Sequence, residues 1–223
     1  MTFSLIARCA KTGQFGMVIS SSSPAVAARC AHVRAGVGVV ASQNITDPGL
    51  GPLVLDHLAQ GLSAPQALAA VVTDRAHIDH RQLLVVDAQG RRAVHSGRRV
   101  LGVWAEALGT DCAAGGNLLA NAGVPQAMVG AFEVATGHLG DRLMAALQAG
   151  LVAGGEAGPV HSAGLKIADR LDWPLVDLRI DWLDDPIGAL ATAWDVYRPQ
   201  MAAYVQRAVN PDQAPSYGVA GEA

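Results

Sequence analysis

The stretch Thr2-Phe3-Ser4-Leu5-Ile6-Ala7-Arg8-Cys9, the turn Lys11-Thr12-Gly13-Gln14 and the stretch Phe15-Gly16-Met17-Val18-Ile19-Ser20-Ser21 decide the fold. Residues 3–9 and 15–21 are short apolar runs separated by turn residues, which predicts a β-hairpin. Thr2, at the head of the first run, has a second meaning. Met before a small residue is normally excised, so the expected mature chain opens on a free threonine. Such a residue combines a hydroxyl nucleophile with its own α-amine as base. The reference pKa of an α-amine, about 7.7–8.0, leaves a useful fraction unprotonated near neutral pH. Many inert chains also begin Met-Thr, and two residues make no specific motif.

Outward from the hairpin, Ser20 to Ser23 and Pro24 lead to a short helix over 25–32, a strand over 36–42 and a polar loop over 43–49. Helices are expected over 53–60, closed by Gly61, and from the cap Ser63 to about residue 73. Strands follow at 82–87 and 92–95, with extended chain over 100–107. Beyond Gly115-Gly116-Asn117 come helices over 125–134 and 139–153, then strands over 162–168 and 175–181. A last helix spans 186–209, interrupted near Pro199. Strands that come in pairs rather than alternating with helices imply antiparallel sheets covered by helices, an α+β class. Residues 1–209 read as a single domain and 210–223 as a C-terminal tail.

The chain has 223 residues, of which 51% are hydrophobic and 16% charged, with a net charge of −3. Against a usual charged share of about 25%, this implies a thick core, an oligomer interface, or both, and a homo-oligomer is expected. No basic run exists and aromatics are only 4%, which disfavours nucleic acid and acidic membrane as partners. A signal-peptide pattern and an 18-residue apolar run are both missing, so a cytoplasmic chain with no membrane partner is expected. Cys9, Cys30 and Cys112 are odd in number and show no CxxC spacing, as expected of reduced thiols.

Several motifs invite chemistry. Gly36-Val37-Gly38-Val39-Val40-Ala41 matches a relaxed dinucleotide pattern, but its glycines fall inside a strand with no helix opening after them. Val160-His161-Ser162-Ala163-Gly164 lacks the first glycine of a nucleophile elbow, and Ser162 begins a strand. His77 and His80 flank Asp79 without completing a metal set. Cys112 and His95 are a nucleophile pair only if the fold brings them together. No cofactor and no metal are therefore expected. Gly115-Gly116-Asn117 offers backbone donors and a side-chain amide suited to an oxyanion, or an ordinary turn. Ser21, Ser22 and Ser23 end the second hairpin strand, which places them beside Thr2.

Thr2 to Arg8 at the start, Ala35-Gly36-Val37-Gly38 leading to Ala41-Ser42-Gln43-Asn44, Arg81-Gln82-Leu83 with Val86-Asp87, Gly116-Asn117, Gly154-Gly155-Glu156, Ser162-Ala163 and Val176-Asp177-Leu178-Arg179 together resemble domain-of-unknown-function family 1028. The tail Ala214-Pro215-Ser216-Tyr217-Gly218-Val219 resembles a subgroup with an extended C-terminus. The stretch Glu156 to Val160 departs from the Asp and Arg common in the family. The resemblance implies a four-layer αββα sandwich of N-terminal-nucleophile hydrolase type. It implies that Thr2 attacks an amide carbonyl and that water, activated by the same α-amine, releases the acid. By the same analogy Ser22 supports the amine, and Asn117 with the Gly116 backbone stabilises the oxyanion. Ser21, Ser23, Gln43, Asn44 and Arg81 become substrate contacts, with Arg81 suited to a carboxylate. The implied substrate is a small carboxylate-bearing or cyclic amide. Two alternatives share the fold: a non-catalytic oligomeric small-molecule binder, and a deaminase or ring-opening hydrolase that directs water without a covalent step.

Overall fold

The computed structural model describes residues 1–220. The hairpin forms as expected: β1 (Thr2–Arg8) and β2 (Phe15–Ser21) pair antiparallel from Phe3↔Ser20 to Arg8↔Phe15. Gly13 supplies the positive φ of 77° in its turn that residues with a Cβ disfavour. On its other edge β1 pairs with β8 (Cys112–Asn117), so β1 is an inner strand. With β7 (Ala105–Gly109), β9 (Ser162–Ala168) and β10 (Val176–Ile180) these strands form a six-stranded sheet ordered β10-β9-β2-β1-β8-β7. A second sheet runs β3 (Ala31–Arg34), β4 (Gly38–Asn44), β5 (Arg81–Asp87), β6 (Arg92–Ser96). Every pairing between these strands is antiparallel.

Because strand side chains alternate between faces, three apolar clusters follow. Phe3, Leu5 and Ala7 pack with α4 (Val124–Val134), α5 (Leu139–Val152) and α6 (Pro186–Tyr197). Ile6, Met17 and Ile19 meet Val39, Ala41, Leu84 and Val86 of the second sheet, with α1 (Val26–Cys30) at the side. Val40, Leu83 and Val85 face α2 (Leu50–Ala59) and α3 (Ala64–Val72). Ser63 caps α3 in a reciprocal box with Gln66. The chain is thus α+β, with antiparallel sheets and packed helices. Among the described residues no helix is long and apolar enough to cross a membrane.

The structure corrects the sequence reading in two places. The segment expected as a polar loop from Gln43 begins as strand, since β4 runs on through Asn44. Gly115, Gly116 and Asn117 lie in β8 rather than in a turn. Small residues carry little strand signal, and they are present because space is short: a Cβ on Gly116 would sit 2.6 Å from a Leu119 methyl carbon. As expected, the last helix breaks near Pro199, at the 3₁₀ turn Arg198–Gln200 before α7 (Met201–Val209), where Pro199 removes a backbone donor. The tail returns along α7: Arg207 donates to the Pro215 and Ser216 carbonyls and stacks 3.6 Å over the Tyr217 ring.

Candidate active site between the two sheets

The core between the sheets is apolar along most of its length and turns polar at one end. Strand alternation decides which residues meet there. Thr2 and Ser4 share a face of β1 with Ile6, and Ser21 shares one of β2 with Ile19. Asn117 stands opposite Thr2 in register. From the second sheet Gln43 and Gln82, directly paired across β4 and β5, continue the inward rows of Ala41 and Leu84. All six polar side chains are buried.

Buried amides are costly unless hydrogen-bonded, and the bonds here fix one orientation. The Gly116 carbonyl can only accept, and it takes the Gln82 Nε2 at 3.3 Å. The same Nε2 donates to Ser96 Oγ at 3.0 Å. Gln82 Oε1 therefore faces the other way and accepts from Gln43 Nε2 at 2.8 Å and from Asn117 Nδ2 at 3.3 Å. Gln43 Oε1 in turn accepts from Ser4 Oγ at 2.7 Å. The chain of amides ends at Asn117 Oδ1, a buried acceptor with no donor.

Beside Asn117 the hydroxyls of Thr2 and Ser21 both donate to the Met1 carbonyl oxygen. Ser21 Oγ also accepts the Ser23 N–H at 3.0 Å. Ser162, at the start of β9 opposite Ser21, donates to the Ser23 carbonyl at 2.6 Å. Ser22 contributes its backbone N–H, which reaches both carboxylate oxygens of Glu156 at 3.1 and 3.2 Å. Glu156 arrives after α5 through a bridge to Leu119 and is only 5% exposed. Burial pushes its carboxyl up to about 7, against the pull of the chain's α-ammonium and of Ser22.

Thr2, Ser21, Ser22, Ser23, Gln43, Gly116 and Asn117 are thus brought to one place, and Asn44 and Arg81 are not. Both share the outward face of their strands with Val40 and Leu83, as the period of two requires. Asn44, at a φ of 73°, donates to the His80 carbonyl at 2.6 Å and accepts the Leu101 N–H at 3.3 Å. Arg81 donates to the Ile45 carbonyl. Both serve the loops at that edge. Cys112 lies on the helix-facing side of the first sheet, whereas His95 sits in β6 with its Nε2 3.3 Å from the Ile78 carbonyl. Gly38 packs tightly in β4, where a Cβ would meet the Val86 carbonyl at 2.6 Å. Among the described residues no group of three or more His, Cys, Asp or Glu is placed to hold a metal.

Glu156, Gln82 and Ser4 belong to this group and were not singled out in sequence as site residues. The available signal was parity: Ser4 and Gln82 are polar residues in otherwise apolar strands, on the same alternate row as Ile6 and Leu84. Glu156 gave no such signal, because it lies outside the named strands.

One solved structure agrees with this architecture. A crystal structure of a DUF1028-family protein from Silicibacter pomeroyi superposes with a TM-score of 0.86 at 29% identity, over 92% of this chain and 90% of that one. The ancestral β-subunit Anbu from Yersinia bercovieri aligns over 91% of this chain and 97% of its own, at a TM-score of 0.39 and 12% identity, a likeness too slight to argue from. No curated protein matches. The sequence profile described as a family of unknown function, DUF1028, matches residues 2–190, and the chain belongs to that family.

Proposed function

We propose that the chain is a hydrolase of the C–N bond of a small amide, with Thr2 as nucleophile once Met1 has been removed. On this reading the fold is a four-layer αββα sandwich of N-terminal-nucleophile type, residues 1–209 form its domain and 210–223 are an appended tail. The observation that carries the reading is the placement of Thr2. It heads an inner strand, and its hydroxyl lies between the sheets beside Ser21 and opposite Asn117.

In the proposed reaction Thr2 Oγ1 attacks the amide carbonyl carbon and its proton passes to the free α-amine. The Asn117 amide nitrogen carries one proton more than its bond to Gln82 uses, and that proton faces the developing oxyanion. Collapse expels the amine, which takes the proton from the α-ammonium. Water, activated by the same α-amine, then cleaves the ester and regenerates Thr2. Asn117 Oδ1 supports a substrate with an N–H to donate. Arg81, expected to bind a substrate carboxylate, lies on the far face of β5, so a neutral amide, cyclic or open, is the better supported class.

The test is intact mass followed by labelling with an acylating β-lactone. A chain lighter by one methionine that gains one adduct on Thr2, with none in Thr2→Ala, supports the nucleophile. Ligand binding that survives Thr2→Ala without any adduct indicates a binding protein. Turnover that is slowed but not abolished, with no acyl-enzyme, indicates directed water.

A further inference from the structure

Glu156 is the one carboxylate of the buried group, and the proposed chemistry does not use it. Its carboxylate is 5% exposed, and among the described residues no lysine, arginine or histidine forms an ion pair with it. A buried carboxylate without a partner charge is unfavourable. The α-ammonium that acts on it in this structure is that of Met1, one residue before Thr2. The contacts place the carboxylate near the Met1–Thr2 peptide: Ser22 N–H holds the carboxylate, and the hydroxyl of the adjoining Ser21 holds the carbonyl of Met1. The bridge Leu119↔Glu156 delivers the side chain to the same end of β8 as Asn117. On the β9 side, His161 turns elsewhere, stacking on Trp182 at 4.4 Å with Asp184 at 3.7 Å.

We infer that Glu156 is the positioning residue of the amine that removal of Met1 frees on Thr2: its carboxylate, clamped by the Ser22 N–H, holds that amine beside the Thr2 and Ser21 hydroxyls and shares one proton with it. The proton moves between the amine nitrogen and a carboxylate oxygen. The catalytic meaning of this pairing rests on the Thr2 reading, whereas the pairing itself is measured without it. Glu156 would keep the amine oriented for proton transfer and tune how readily it gives up its proton.

The chain has two lysines, Lys11 and Lys166, so reductive ¹³C-methylation gives few signals and the α-amine is followed separately by NMR against pH. In Glu156→Gln the amine midpoint is expected to fall by about one unit or more, the size of shift an opposite charge at close range produces. Both lysine signals should stay in place, and Glu156→Asp should retain most of the wild-type midpoint. An unchanged midpoint in folded Glu156→Gln overturns the inference. Should that variant fail to fold, wild-type protein with ¹³C-labelled Glu carboxyls decides, compared with its α-amine free and acetylated. A Glu156 resonance with the same midpoint in both overturns the inference, and an upward shift on acetylation supports it. A shifted amine in a chain that takes no lactone adduct sinks the nucleophile and leaves the pairing standing.

Discussion

Thr2 and Asn117 face each other across β1 and β8 as a direct antiparallel pair, and Asn117 is held in one orientation by Gln82. Its unpartnered oxygen follows from a carbonyl two bonds away, that of Gly116, which can only accept.

Removing the nucleophile should separate chemistry from binding. With an amide substrate in hand, Thr2→Ala is expected to lower kcat by about a thousandfold or more while the protein stays folded, and Thr2→Ser to retain measurable turnover. Steady-state kinetics beside circular dichroism checks this.

Gln82 is the hub of the amide chain. Gln82→Leu strands the Gln43 and Asn117 amide donors and frees the Gly116 carbonyl. At about 1–3 kcal/mol for each stranded group, urea unfolding should show a loss of about 3 kcal/mol or more. A loss below 1 kcal/mol would mean that water replaces the hub.

Gly116→Ala places a methyl group 2.6 Å from Leu119 Cδ2 and 3.0 Å from the Thr2 carbonyl oxygen. The expected cost is about 1–3 kcal/mol, as for other overpacked cores. Lactone labelling of Thr2 should slow along with it, because the clash pushes on β1 itself. A variant as stable and reactive as wild type would refute the tight fit.

The Glu156 carboxyl sits near 7 in the folded protein against an ordinary 4.5. The folded state therefore holds this proton more tightly than the unfolded chain does. The resulting stabilisation is fully present below about pH 4.5 and is lost as pH rises through about 7. In Glu156→Gln this part of the pH dependence should disappear. Thermal unfolding of both proteins from pH 4 to 8 checks the difference, and parallel profiles would count against it.

A homo-oligomer remains the expected state. Val134 and Val152, at the ends of α4 and α5, stand almost wholly in solvent, and Trp182 is exposed as well. Light scattering should give a multiple of 22.9 kDa, and a monomer mass would refute it.

Much of this was legible in sequence, and the exceptions have physical reasons. The hairpin, the Ser63 cap and the helices α4 and α5 follow from turn residues and periodicity. The meeting of Thr2 with Ser21 follows from hairpin geometry alone. β8 was hidden because alanine and glycine pack there for closeness and carry no strand preference. Asn44 and Arg81 were misplaced because neighbours in sequence fall on opposite faces of a strand, so Gln43 and Gln82 point inward while they point out. Glu156 reaches the site from a segment with no repeating pattern.

The two carboxamides Gln43 and Gln82 have a dynamic consequence. Apolar surfaces between sheets can slide over one another at little cost, whereas a directional chain of amides spanning both sheets cannot. The end of the core that holds Thr2 is therefore keyed, and local breathing cannot expose it piecemeal. Backbone amides of β1 and β5 near this end should exchange with solvent only through opening of the whole sheet pair, among the slowest in the molecule.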